Sequence, residues 1–566
     1  MKNINSSENK SKFECENPRI VIKFRDDLLI NNNFPFFQSL DIPVGYQSEV
    51  RKFMQKTGKK INTFDRKKNF YGINAKALGN QLNIFTQIIK TIKLEYLFSD
   101  VDIQVFNIFV DRSIKRQRNF IKYPYFTNFY NYFTFDCSCA ENADTFLKSL
   151  KENLFNKECL NTPLLEFAYI RYDPIPASFD IANIPNNENQ DYLTDMGFGS
   201  DWNNGMGITV IDVEEYWDTS HSQFDWGSGT DVRVPNLLYP TTLNGINFVT
   251  NDSTGHGTKV LGVLKSKHSD NDSNSVDKCK GIVPNALFNL SSVISTSKRN
   301  NVVSFKKKEE CALLKAIFGS SNSETPEGSV VLLPIQVPID PSPYPIEILP
   351  AMFQLIQLAT YQLNIIVIEA AGDGGIDLDS ITSNDITTVL SNAVSSGDDT
   401  SYWKRYRKKG NTNMLSEAGV ETIYSTKAEF ATDYLNLMSG AIIVGAGQKN
   451  DDLFQKFDRT NIGIVRVPIY AQGDKILTTI IDHGSKFDSF SATSGATAII
   501  AGLVVSLQGY ARANGRLILP QEMMELLLIG GRDVINGTAI IGKIPNYSDI
   551  TSFFIDDENI SNYISI

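Results

Sequence analysis

The sequence predicts an α/β fold, a parallel sheet with flanking helices, preceded by a small α+β domain. Two observations carry this reading. From Gly207 onward, continuous apolar runs alternate with helical stretches: Gly207 to Asp212, Ser329 to Leu333, Asn364 to Glu369 and Ser439 to Gly445. Strands buried on both faces need such runs, and Phe353 to Leu363 supplies a helix just before the third. Upstream, the text from Arg19 to about Asp173 is rich in Phe, Tyr, Lys and Asn. It opens on an alternating strand in which Ile20, Ile22 and Phe24 share a face. Asn131 to Phe135 and Leu165 to Ile170 are further strand-like runs, with a helical stretch from Ala143 to Leu154 between them, a mixture that suits an α+β unit.

These shifts give a domain plan. Residues 1–16 are a disordered start, 17–173 the α+β domain, 174–200 a linker, 201–556 the α/β domain and 557–566 a tail. The linker is rich in Pro and Asn, a composition expected to be exposed and open to proteolysis. Within the large domain, about 376–434 is polar, poorly periodic and reads as an insertion. Its basic, aromatic stretch Trp403 to Lys409 is a solvated loop, with anion binding as the lesser alternative. Asp270 to Asn274 begins like a calcium loop but lacks the later Gly and Glu, so it is read as a turn.

Composition narrows the function classes. The 566-residue chain is 42% hydrophobic with a net charge of −10, which argues against nucleic acid or an anionic membrane as its main partner. Six cysteines without a pairing pattern read as buried or half-buried thiols rather than a disulfide framework. The start carries no apolar signal segment, so the cytoplasm is the default location and signal-independent export stays open. The longest apolar stretch, Gly495 to Leu507, is too short for a membrane span.

Three short motifs carry chemistry. Asp212 closes a buried strand, at the sheet edge where α/β proteins build sites. His256 lies between Gly255 and Gly257 at a helix start; the chain's other three histidines, His221, His268 and His483, lack such a frame and suit surface or loop positions. Ser494, in Ala492-Thr-Ser-Gly-Ala, opens an apolar helix of small residues, where free N–H groups favour developing negative charge. Taken singly, each has a plain reading as a strand-end turn residue, a loop histidine or a helix cap.

Together they stand in the order Asp, His, Ser, the order of subtilisin. The sequence resembles the subtilase family of serine peptidases over about residues 190–550, through His256-Gly-Thr258, Thr493-Ser494-Gly-Ala496, Ala501-Gly502, Gly281-Ile-Val-Pro284, Val367 to Gly372 and Gly440 to Ala446. The resemblance implies a subtilisin-like fold with Asp212, His256 and Ser494 as catalytic triad. It implies an oxyanion hole that includes the Ser494 backbone N–H, and a substrate pocket lined by Ala370, Ala371 and Gly372, with Ile335 and Gln336 on the substrate-pairing strand. Peptide or protein is the implied substrate, and the first domain resembles an inhibitory propeptide, an intramolecular partner. No cofactor is required for the chemistry, and a structural calcium stays open.

The sequence departs from the family at Asp373, where an Asn usually supplies the second oxyanion donor. Loss of that donor in a subtilisin costs about 2.7–4 kcal/mol. A buried, protonated Asp373 would restore one. Pro334 and Pro338 remove backbone donors from the substrate strand, and Ala498 replaces a common Pro. Two readings follow: a serine endopeptidase made as a zymogen and cut within about 173–200, or a weak or inactive subtilase-like protein that binds peptides or partners. An esterase would want Gly-x-Ser-x-Gly and the order Ser, Asp, His, and neither is present.

Overall fold

The computed structural model describes residues 18–24, 75–90, 94–98, 129–154, 164–177, 190–199, 202–224, 235–239, 255–266, 279–299, 302–320, 323–339, 342–381, 439–450, 453–480 and 487–555, with a few shorter pieces. The expected disordered start, the stretch Asp270 to Asn274, most of the 376–434 insertion with its basic run, and the tail lie outside the described residues.

Two main sheets organise the chain. The first has five strands: β1 (Arg19–Phe24), β2 (Tyr132–Asp136) and β3 (Leu165–Arg171) at its centre, with short edge strands at Glu95–Tyr96 and Val394–Ser395. β1 is antiparallel to both β2 and β3. The period-two pattern of β1 sorts its side chains as the pleat requires. Ile20, Ile22 and Phe24 pack with Phe85, Leu147 and Leu150 of the overlying helices Ala75–Ile88 and α1 (Ala140–Leu154). Val21, Tyr132, Phe167 and Tyr169 turn to the opposite face and join the large core of the rest of the molecule. The small domain therefore buries both faces, and the second, where Lys23 lies over the Tyr132 and Phe167 rings, is covered by the larger domain.

One buried charge cluster ties the two together. Arg171, at the end of β3, donates to Glu309 and, at 2.9 Å, to Glu310. Both acids open α3 (Glu309–Phe318), and all three side chains are buried. Burial outweighs the guanidinium at Glu309 and pushes its carboxyl up to about 8.

The second sheet has ten strands. Its centre is parallel, in the order β11 (Ile469–Gln472), β10 (Ile442–Asn450), β9 (Ile366–Ala370), β7 (Val330–Leu333), β5 (Thr209–Glu214), β6 (Leu287–Ser292). The four apolar runs fall on β5, β7, β9 and β10 and are buried on both faces there, β10 emerging only at its last three residues. β5 extends two residues beyond Asp212, because Val213 and Glu214 continue the ladder opposite Ser291 and Ser292. The residue that closes the strand is therefore Glu214.

α4 (Ala492–Ala513) runs through the centre of this domain. Its small residues permit close packing: a Cβ at Gly502 would lie 2.7 Å from Ile282. The helix is longer than the expected apolar stretch and is long and apolar enough to cross a membrane, yet its apolar window is wholly buried inside the fold. Burial of this kind marks the core helix of a globular domain.

Three expectations change. Part of the supposed linker is built in: β4 (Ile175–Pro176) pairs antiparallel with β8 (Ile335–Ile339), and Ala177 is buried. Asp191–Asp195 forms a short helix. His221 has the loop position expected of it but is buried there, accepting the Gln223 N–H on Nδ1 at 3.2 Å. Among the described cysteines, Cys137, Cys279 and Cys311 are buried and Cys139 is exposed, all as free thiols.

Candidate active site

Two helix starts bring Ser494 and His256 to the carboxyl edge of the parallel sheet. Ser494 sits in the first turn of α4, behind Ala492, which adopts a left-handed φ of +71°. A non-glycine residue held there is strained, and such strain collects at functional sites. His256 opens α2 (His256–Lys265), after Gly255 with φ +63°. Gly257 is required for close approach: a Cβ there would lie 2.3 Å from the Tyr216 carbonyl and 2.7 Å from the Trp217 ring. Thr258 fixes the same junction, since its Oγ1 accepts the Asp218 N–H at 2.8 Å. The His-Gly-Thr frame thus docks the loop after β5 onto the start of α2.

That docking sets which carboxylate meets the imidazole. Glu214 Oε1 lies 2.6 Å from His256 Nδ1. Asp212, expected to hold the ring, instead accepts the Trp217 indole N–H on Oδ2 at 2.7 Å, and its buried Oδ1 has no hydrogen-bond partner. Burial, and next the charge of Glu214, push the Asp212 carboxyl well above the usual carboxylate range. The structure thus brings Asp212 into the site but not into contact with His256. On the ring's other side, Phe490 packs edge-on with centroids 5.4 Å apart.

The acyl side of Ser494 is occupied by the chain's own backbone. The Ser494 N–H donates to the Ala177 carbonyl at 2.9 Å, and the Ala177 N–H donates to the Pro334 carbonyl at 3.1 Å. The Gln336 amide donates to the Pro176 carbonyl at 3.0 Å. Pro334, expected to weaken strand pairing, does not do so, because the contact uses its carbonyl and proline lacks only the N–H. Ile335 and Gln336 pair with Pro176 and Ile175. The Ser494 hydroxyl also donates to the Pro334 carbonyl, at 2.8 Å.

Asp373 is tied to the same site through Thr493 and Gln336. Its Oδ1 accepts from the Thr493 N–H and hydroxyl at 3.1 and 2.9 Å, its N–H donates to Gln336 Oε1 at 2.8 Å, and its buried Oδ2 has no hydrogen-bond partner. Burial pushes its carboxyl up to about 7, against the opposing pull of the Thr493 bonds. Below that pH it carries a proton and can donate. Ala370, Ala371 and Gly372 lead into this turn. Gly372 has φ +91°, and a Cβ there would lie 2.8 Å from Asn461. Asn461 escaped the sequence reading: its side chain bonds Pro343 O, Ala371 O, Gly374 N and Ile376 N, pinning the turn that carries Asp373. Nothing around Thr460-Asn461 in the sequence signals this role. Among the described residues, no three His, Cys, Asp or Glu side chains gather as a metal site.

A serine at a strained helix start, a histidine backed by a carboxylate and a peptide carbonyl on the serine N–H define a serine peptidase class on an α/β sheet. The subtilase family profile matches residues 244–530, just over half the chain, and the chain belongs to that family. Its substrates are accordingly proteins or peptides, and its chemistry needs no cofactor. No curated protein sequence matches the chain. Among solved structures, it is similar to the patellamide maturation protease PatA, at 16% identity and TM-score 0.37 over 62% of this chain and 97% of that one. It is similar to fervidolysin, a keratinolytic enzyme from Fervidobacterium pennivorans, at 12% identity and TM-score 0.46 over 97% of this chain and 62% of that one. It is also similar to the epidermin leader peptide processing serine protease from Staphylococcus aureus, at 15% identity and TM-score 0.42 over 74% and 90%.

Proposed function

We propose that the chain is a serine endopeptidase made as a zymogen, whose first self-cleavage falls between Ala177 and Ser178. The observation that carries this reading is the 2.9 Å bond from the Ser494 N–H to the Ala177 carbonyl, which holds a peptide group where an acyl donor belongs. Residues 1–177, which supply every strand of the five-stranded sheet except Val394–Ser395, then act as intramolecular inhibitor, with β4 filling the substrate position.

The chemistry follows from this placement. Ser494 Oγ turns from Pro334 and attacks the Ala177 carbonyl carbon, while His256 Nε2 takes its proton. The developing oxyanion meets the Ser494 N–H and the protonated Asp373. Collapse breaks the Ala177–Ser178 bond, and His256 returns the proton to the Ser178 amine. Water, deprotonated by His256, then releases the Ala177 carboxylate and frees Ser494. A non-catalytic, peptide-binding reading has one observation behind it, the Ser494 hydroxyl engaged by Pro334.

Intact mass of purified full-length chain separates the two. The peptidase reading expects fragments 1–177 and 178–566 from wild type, an uncut chain from Ser494→Ala, and labelling of Ser494 by a fluorophosphonate. An uncut wild type that takes no label anywhere between pH 5 and 8 would overturn it.

A further inference from the structure

We propose that Glu214, rather than Asp212, is the positioning carboxylate of His256, and that Asp212 serves as the anchor of Trp217. The inference rests on the peptidase reading of the site.

The geometry begins with the strand. Asp212 and Glu214 are two apart on β5 and so share a face, spaced about 7 Å along it. Only one of them can meet a given ring nitrogen. The ladder to Ser291 and Ser292 carries β5 on to Glu214, and the Glu214 carbonyl accepts the Val293 N–H at 2.8 Å. The backbone is thus fixed where the side chain leaves it. Gly257 lets the Tyr216–Trp217 loop sit directly on the α2 start, placing His256 Nδ1 2.6 Å from Glu214 Oε1.

The same loop occupies Asp212. The Trp217 indole can only donate, so its 2.7 Å bond holds Asp212 Oδ2 whether or not that carboxyl is ionised. The two acids are both fully buried. Neighbouring buried carboxylates do not readily ionise together, and the rise at Asp212 agrees with a single charge residing on the acid that faces the imidazole. A neutral Asp212 with a fixed partner is a support for the loop, while a charged Glu214 holds the ring and offsets its positive charge when it takes the serine proton. The subtilase profile match begins at residue 244 and so includes neither acid.

The test uses isosteric variants of the full chain and two independent readouts. In the Ser494→Ala background, the low-field proton resonance of a histidine N–H held by a carboxylate is followed by NMR. We expect Glu214→Gln to abolish it and Asp212→Asn to retain it. In otherwise wild-type chain, Glu214→Gln should slow fluorophosphonate labelling by about 10³–10⁴-fold and lower the pH midpoint of the labelling profile, with Asp212→Asn costing less than about tenfold. The reverse pattern, or a resonance that survives both substitutions, overturns the proposal. Absence of labelling in the wild type sinks the peptidase reading alone, because the resonance still decides between the two carboxylates.

Discussion

The two sides of Ser494 are in different states. On the acyl side, backbone and side-chain groups already bond a peptide: Ser494 N–H and Pro334 O on Ala177, and Gln336 on Pro176. On the proton-transfer side, His256 and Glu214 are in contact with each other, while the serine hydroxyl is directed to Pro334. On the proposed reading, a peptide bonded at the Ser494 N–H with the hydroxyl directed elsewhere separates recognition from activation, and the hydroxyl must leave the Pro334 carbonyl before it reacts.

The largest break in this comparison is Ser494→Ala, which leaves both sides otherwise intact. Turnover on an external peptide should fall on the order of 10⁶-fold, with the chain accumulating at full mass. Next, Asp373→Asn tests the acyl side through pH. With its carboxyl near 7, wild type carries an O–H donor below that pH and a repelling charge above it. Wild-type kcat/KM should therefore fall on the alkaline side of about pH 7, and Asp373→Asn should hold its rate there, exceeding wild type at pH 9 by on the order of 10²-fold. The folded chain also holds this proton where an ordinary aspartate has lost it, so its stability falls as pH rises from about 3.8 toward 7. Thermal unfolding of Asp373→Asn should lack that slope.

Gly257→Ala tests the other side. The added methyl pushes Tyr216 and Trp217 off the α2 start, lengthening the Glu214–His256 contact. A displacement of about 1 Å costs on the order of 10²-fold in rate, read as kcat with KM little changed. The smallest effect is Gln336→Leu, which removes the amide bond to Pro176 and the acceptor of the Asp373 N–H. Self-cleavage should slow by about tenfold, measured by the appearance of the new Ser178 terminus.

Legibility in the sequence followed burial. Strands covered on both faces appear as unbroken apolar text, so β5, β7, β9 and β10 were readable, as were the glycine frame of His256 and the small-residue helix behind Ser494. Glu214 was not, because three acids, Asp212, Glu214 and Glu215, stand in one short motif and the choice among them depends on where β5 stops. That stopping point is set by Ser291 and Ser292, nearly eighty residues downstream. The strand at Ile175–Pro176 looks like linker in the sequence because prolines and polar neighbours suggest exposure, whereas the pairing there uses carbonyls that proline retains. Asn461 left no trace for a similar reason: four bonds to two distant stretches of chain, Pro343 and the turn from Ala371 to Ile376, are a tertiary fact.

Glu309 and Glu310 give the molecule a reversible surface. Covered, they are desolvated acids matched to one arginine. Should residues 1–177 leave, giving up the pairing of β3 with Val394–Ser395, the same two carboxylates would stand in water at the first turn of α3, where the partial positive charge of a helix N-terminus favours anions. Arg171, in water, is likewise a fully hydrated cation. Each half of the interface is thus stable when wet, and separation strands no charge in an apolar wall. What holds the halves together is then chiefly the apolar face of Val21, Tyr132, Phe167 and Tyr169, so their adhesion should weaken on cooling and resist added salt.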